Sequence, residues 1–83
     1  MVDEKSVGYT IKRLREKKNI SQEVLSSFAG IARSHLSMIE TGTKLPNLET
    51  IWKIAHALNM RPYELIKMIE DNSNDSNNLS FRK

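Results

Sequence analysis

Apolar residues along this chain recur with a helical period, and no stretch alternates as a strand would. Val7, Ile11 and Leu14 stand at i, i+4 and i+7, one face of a helix from about Ser6 to Lys18, with Asn19 as its ending residue. Ser21 can accept an orphan backbone N–H as the cap of a second helix, whose apolar face is Leu25, Phe28 and Ala29. Gly30 ends that helix, because glycine enters the left-handed region without a Cβ clash. A third helix is expected from about Ala32 to Glu40, with Leu36 and Ile39 inward. The segment Thr41 to Pro46 reads as a loop, punctuated by Gly42 and Pro46. Asn47 caps a fourth helix in which Leu48, Ile51, Ile54, Ala55 and Leu58 share one face. Pro62 suits the first turn of a fifth helix, with Leu65, Ile66 and Ile69 turned inward or toward an interface. The pattern predicts an all-α, compact five-helix bundle.

Composition changes at Asp71. The run Asp-Asn-Ser-Asn-Asp-Ser-Asn-Asn buries too little to offset its ordering entropy. The expectation is a folded domain over 1–70 and a polar, disordered tail over 71–83. Leu79, Phe81 and their neighbours could dock, with no place for them indicated. Eighty-three residues bound the chain to one small domain. There is no cysteine, which excludes disulfides and thiolate metal sites. His35 and His56 lie far apart with no ligand spacing around them, so no metal or cofactor is expected. Phosphate-cradling glycine loops and nucleophile constellations are missing, and catalysis is not expected. No apolar run approaches the roughly 20 residues needed to span a membrane. The polar start, Met-Val-Asp-Glu-Lys, has no signal-peptide core, so the expected location is cytoplasmic. Thirteen basic against ten acidic residues leave a formal charge of +3, compatible with a polyanionic partner. The distribution says more than the sum, because Lys12, Arg13, Arg15, Lys17 and Lys18 crowd the first helix.

Five stretches occur in a familiar order. They are Ile11-Lys12-Arg13-Leu14-Arg15-Glu16-Lys17-Lys18, Ser21-Gln22-Glu23, Ala29-Gly30-Ile31, Leu36-Ser37-Met38-Ile39-Glu40-Thr41-Gly42 and Lys44-Leu45-Pro46-Asn47-Leu48-Glu49-Thr50-Ile51. In this register, over residues 7 to about 66, the chain resembles the Cro/repressor-type (XRE-like) helix-turn-helix family, with its lambda-repressor-like DNA-binding fold. Ser26 stands where the family usually carries alanine, and its hydroxyl can bond back to the preceding turn. Trp52 stands where leucine is more usual. The Arg33-Ser34-His35-Leu36-Ser37 run is similar to the recognition helices of restriction–modification controller proteins, although phage and plasmid repressors share the wider pattern.

The resemblance implies a division of labour. Arg33, Ser34, His35, Ser37 and Met38 are expected to face base edges. Arginine can donate two hydrogen bonds to guanine, short serines allow close approach, and a methionine can meet a thymine methyl. Gln22 is implied at a phosphate, as are Thr41, Thr43, Lys44 and Asn47, with Lys44 the leading candidate. Arg15 and Glu40 are implied as a structural ion pair, and Lys12, Arg13, Lys17 and Lys18 as a largely solvated face. Trp52, Met60, Tyr63 and Ile66 supply more apolar surface than a small monomer needs and are expected at a homodimer interface. The expected function is a homodimeric transcription regulator on a near-palindromic operator in double-stranded DNA, with no small-molecule effector evident. The alternative is an antitoxin-like module that binds a partner protein through helices four and five.

Overall fold

The computed structural model describes residues 3–74, as five helices: α1 (Glu4–Lys17), α2 (Gln22–Ala29), α3 (Arg33–Glu40), α4 (Leu48–Ala57) and α5 (Pro62–Asn74). Three starts are capped by side chains. Asp3 accepts from the Lys5 N–H at 3.1 Å, which places the start of α1 two residues ahead of the sequence expectation. Ser21 accepts from Val24 N–H at 3.1 Å, and Asn47 from Thr50 N–H at 2.8 Å. These caps satisfy backbone donors that the first helical turn leaves unpaired.

Helices α1, α2 and α4 all stop in the same way. Asn19, Gly30 and Asn59 take left-handed conformations at φ 59°, 71° and 62°. The next residue's N–H then returns to a carbonyl five residues back: Ile20 to Arg15, Ile31 to Ser26 and Met60 to Ala55. Each of these following residues is apolar and packs, half-buried, against the core. This turn type couples a backbone reversal to a hydrophobic contact, so it fixes the direction in which the chain leaves the helix. Between α2 and α3 it sets the hinge of the helix-turn-helix.

Helix α1 packs against α3 and α5, α2 against α3 and α4, and α4 against α5. The core they enclose includes Ile11, Leu25, Leu36, Ile39, Ile54, Leu58 and Leu65, all fully buried. Two expected inward residues are not inward. Phe28 is 69% exposed, because the buried stripe of α2 runs through Leu25, Ser26 and Ala29. At about 100° per residue, Phe28 falls well outside that arc. Ser26 instead takes the buried position, its hydroxyl donating to the Glu23 carbonyl at 3.1 Å. Leu48 is 63% exposed: it keeps the apolar side of α4 but occupies the first turn, beyond the reach of the core. Helix α5 continues through Asn74, past the change in composition at Asp71. Asn72 Nδ2 donates to Thr10 Oγ1 at 2.6 Å, and Thr10 in turn donates to the Ser6 carbonyl at 2.7 Å, which ties this last stretch to α1. The rest of the expected tail, including Leu79 and Phe81, lies outside the described residues.

Gly8 carries a close helix contact. A Cβ there would meet the Ile39 carbonyl oxygen and come within 2.7 Å of the Glu40 carbonyl oxygen. Helix α1 can therefore lie directly on the C-terminal end of α3. Gly30, by contrast, has open space around it and needs glycine only for its φ. Gly8→Ala should lower the melting temperature by roughly 10 °C, because overpacking against backbone costs more than the up to about 1 kcal/mol that alanine gains in a helix. Gly30→Ala should cost about 1 kcal/mol, in proportion to left-handed strain alone. Thermal unfolding of the two variants followed by circular dichroism checks both, and an unchanged Gly8→Ala protein would refute the close approach.

Candidate nucleic-acid interface

Helix α3 is only eight residues long, and its position depends on what it rests on. Leu36 and Ile39 are fully buried on its inner side. Arg33, Ser34 and Met38 are exposed, and Ser37 is half-buried between them. At helical spacing these four residues share one outward face. His35 lies at the edge of that face, toward Ile39, and is half-buried. The structure therefore brings together four of the five residues expected at base edges and sets the fifth to one side.

The loop after α3 closes around one carbonyl. Met38 O accepts from Thr43 N–H at 2.9 Å, from Lys44 N–H at 3.1 Å and from the Thr41 hydroxyl at 3.2 Å. The Thr41 and Thr43 hydroxyls lie 2.9 Å apart and bond to each other. Lys44 is exposed. Asn47 uses its Oδ1 as the cap of α4, which leaves its amide N–H groups for other partners. Thr41, Thr43, Lys44 and Asn47 thus lie within one short stretch beside the end of α3.

Under this surface lies a charged brace. Arg15 Nε donates to Glu40 Oε2 at 2.7 Å, and Nη2 donates to Oε1 at 3.0 Å, a two-pronged pairing. Arg15 Nη1 also donates to the Ile20 carbonyl at 2.8 Å, which fastens the α1–α2 turn to the same guanidinium. The Glu40 side chain is 1% exposed. Its hydrogen bond raises the Arg15 pKa above the ordinary value. Burial opposes this, and the charges of Glu40 and Glu16 add to it. A cation whose pKa rises on folding contributes stability that is whole below its unfolded pKa and is lost only as pH climbs past it, here in strong alkali. Gln22 joins the pair: its Nε2 donates to Glu40 Oε1 at 2.9 Å. The family resemblance implies a phosphate contact for Gln22 and gives no sign of this bond, whose partners are 18 residues apart in the chain.

Of the residues expected at a protein interface, Trp52, Tyr63 and Ile66 are exposed. Met60 is not free in the same way, since its side chain packs on the core as part of the turn that ends α4. Sequence reasoning missed Phe28, Leu45 and Leu48. Phe28, Leu48 and Trp52 line an open groove of about 610 Å³ between α2 and α4. Leu45, Leu48 and Ile66 line a second apolar groove, of about 240 Å³, floored by Val7, Ile51 and Ile69. Among the described residues no acidic, histidine or cysteine group forms a metal-binding cluster, and no helix is long and apolar enough to cross a membrane.

Removing one partner of a buried ion pair strands the other without compensation. Arg15→Ala and Glu40→Ala should each cost about 3–5 kcal/mol, a large share of a small domain's stability. The double replacement Arg15→Met/Glu40→Leu should recover most of that loss, because no charge is left buried. Chemical denaturation of the three variants measures this, and a double variant as unstable as the sum of the singles would refute it.

The chain matches the helix-turn-helix family over residues 11–65. It is 36% identical over 70 residues to the ImmF control region 10 kDa protein of Bacillus phage phi105, covering 84% of this chain and 77% of that protein. Control protein C.BamHI of Bacillus amyloliquefaciens is 37% identical over 60 residues, 71% of this chain and 74% of the relative. The crystal structure of the restriction–modification controller protein C.AhdI from Aeromonas hydrophila superposes with a TM-score of 0.73 at 35% identity, over 78% of this chain and 98% of that one. With the α2–α3 hinge, the buried back of α3 and its outward polar face, these likenesses make the chain a member of the Cro/repressor-type (XRE-like) helix-turn-helix family of DNA-binding transcriptional regulators.

Proposed function

We propose that this protein is a homodimeric, sequence-specific regulator of the restriction–modification controller kind, reading a near-palindromic operator. The observation that carries the reading is the outward face of α3, with Arg33 at its free N-terminal end and a buried ion pair holding its far end. A helix in the major groove contacts base edges mainly with its N-terminal residues. Arg33 is the principal base reader in this account, with Ser34, Ser37 and Met38 beside it. His35, at the edge of the face, reaches a flanking base or phosphate. Lys44, Thr41, Thr43 and Asn47 hold the backbone on one side of α3, and the start of α2 at Gln22 faces it on the other.

Affinity and specificity call for a second copy. One small module buries about 600–1,000 Å² on DNA, less than specific recognition commonly uses. Two copies related by a twofold axis set two recognition helices about one helical turn, roughly 34 Å, apart. The apolar surface through Leu48 and Ile66, extended by the exposed Trp52 and Tyr63, supports this assembly, since an unpartnered patch of this kind on a small soluble domain marks an interaction site. The controller assignment rests on the likeness to C.BamHI and C.AhdI.

Selection of bound sites from random duplex DNA should return a sequence with two related half-sites. Arg33→Ala should relax the preference at one position per half-site, a loss of about 1–3 kcal/mol on the preferred duplex. Lys44→Ala should weaken all duplexes alike and lower the salt dependence by about one counterion. Identical sequence preferences for Arg33→Ala and the unmodified protein would sink the assignment of the reading face. Sedimentation should give twice the chain mass for the protein and a single mass for Ile66→Lys, with helix content retained. An Ile66→Lys protein that remains dimeric would rule this surface out.

A further inference from the structure

The first turn of α1 reaches the loop that leaves α3. A Cβ on Gly42 would come within 3.0 Å of Lys5 Cγ and 3.3 Å of Lys5 Cα. About one helical turn further along α1, Gly8 lies on the Ile39 and Glu40 carbonyls. Together these contacts lay α1 along the exit of α3. Lys5 is exposed, and its stem rests on Gly42. We propose that Lys5 is a DNA phosphate contact, so that α1 and the α3–α4 loop grip one stretch of backbone together.

The charge of Lys5 is uncommitted within the fold. Among the described residues its ammonium forms no ion pair and no side-chain hydrogen bond, whereas Lys53 and Lys67 pair with Glu49 and Asp71. The neighbouring Asp3 carboxylate is taken up at the start of α1, accepting from the Lys5 N–H at 3.1 Å and from the Ser6 hydroxyl at 3.0 Å. The end of α3 does not call for a cation either. Ser37 O accepts from Thr41 N–H, Met38 O from Thr43 and Lys44 N–H, and Ile39 O from Gly42 N–H. A lysine in the first turn of α1 also opposes that helix's own dipole. The fold therefore gains little from a positive charge at this position. A lysine that lays its stem on a surface keeps its charged end in solvent. Here the stem lies on the glycine between Thr41 and Thr43, whose hydroxyls are 2.9 Å apart, and Lys44 is exposed just beyond. Two free cations and two hydroxyls around one glycine suit the oxygens of a phosphodiester.

The inference rests on the proposed role of the α3–α4 loop at the DNA backbone, and the test separates the two. The unmodified protein, Lys5→Gln, Lys5→Arg, Lys44→Ala and Lys67→Gln are titrated over a series of salt concentrations against two duplexes. One is selected from a random pool by the unmodified protein, and the other is a scramble of equal length and composition. Lys67, exposed on α5, controls for the loss of one charge. Lys5→Gln should weaken both duplexes by the same factor, roughly threefold to tenfold, and lower the salt slope by about one. Lys5→Arg should restore the slope, and Lys67→Gln should leave it unchanged. The melting temperature of Lys5→Gln should stay within about 2 °C of the unmodified protein's. A salt slope that Lys5→Gln leaves unchanged would overturn the inference, and a lower melting temperature beside it would assign Lys5 to the end of α3. Should Lys44→Ala lower the slope while Lys5→Gln does not, the loop keeps its role and only this inference falls. If the unmodified protein binds neither duplex, the proposed function falls and takes Lys5 with it.

Discussion

The buried carboxylate of Glu40 is the constraint on which the other parts of this molecule depend. It closes the recognition helix, accepts a two-pronged bond from Arg15, and takes a third donor from Gln22. Directly above it, Gly8 lets α1 rest on the carbonyls of Ile39 and Glu40. An apolar contact at this place would have offered comparable or greater stability. It would not have set an angle, because hydrophobic contacts are non-directional. A guanidinium fork has a plane and two donor directions, so it fixes orientation as well as distance. A helix of eight residues has few contacts of its own to fix its direction, so orientation is the scarce quantity.

The same economy shapes the two outer surfaces. One surface is polar and cationic, formed by the outer face of α3 and the loop wrapped around the Met38 carbonyl. A second exposes Leu45, Leu48, Trp52, Tyr63 and Ile66. A domain of this size buries a modest fraction of its surface, so every large apolar side chain left outside is a conspicuous omission from a limited core. Leu48 lines both apolar grooves and so joins the α2–α4 side of the molecule to the α4–α5 side. The surface available for association is therefore continuous across α4 and extends to Phe28.

Rigid connections carry the brace outward. The turns that end α1, α2 and α4 each combine a left-handed residue with an apolar anchor, Ile20, Ile31 or Met60. Arg15 reaches the first of these turns through the Ile20 carbonyl, so the brace, the α1–α2 turn and the start of α2 form one hydrogen-bonded unit. Met60 shows what this arrangement costs: a side chain that reads as interface material in the sequence is already used to finish a helix.

The features legible in the sequence are the ones that act over a few residues. Ser21 and Asn47 are caps because a short oxygen can reach the N–H three residues on, and both cap as expected. Gly30 and Asn19 stop helices because they tolerate positive φ. The helical spacing of Leu36, Ile39, Ile51, Ile54 and Leu58 turns them all into the core. The pairing of Arg15 with Glu40 was also foreseen, although from likeness to a family and not from spacing. What only the tertiary structure decided involves partners far apart in the chain. Which side of α2 is buried was decided by its packing on α3 and α4, which takes Ser26 inward and leaves Phe28 outside. The last turns of α5 run on through Asn74 where composition alone suggested disorder, in a stretch that bonds to Thr10 through Asn72. Gly8 matters because of a carbonyl more than thirty residues away, and Gln22 because of a carboxylate on another helix. Local rules set the caps of α2 and α4 and the stops of α1, α2 and α4, since their energies arise between neighbours. Packing decides which faces meet, and no periodicity encodes that.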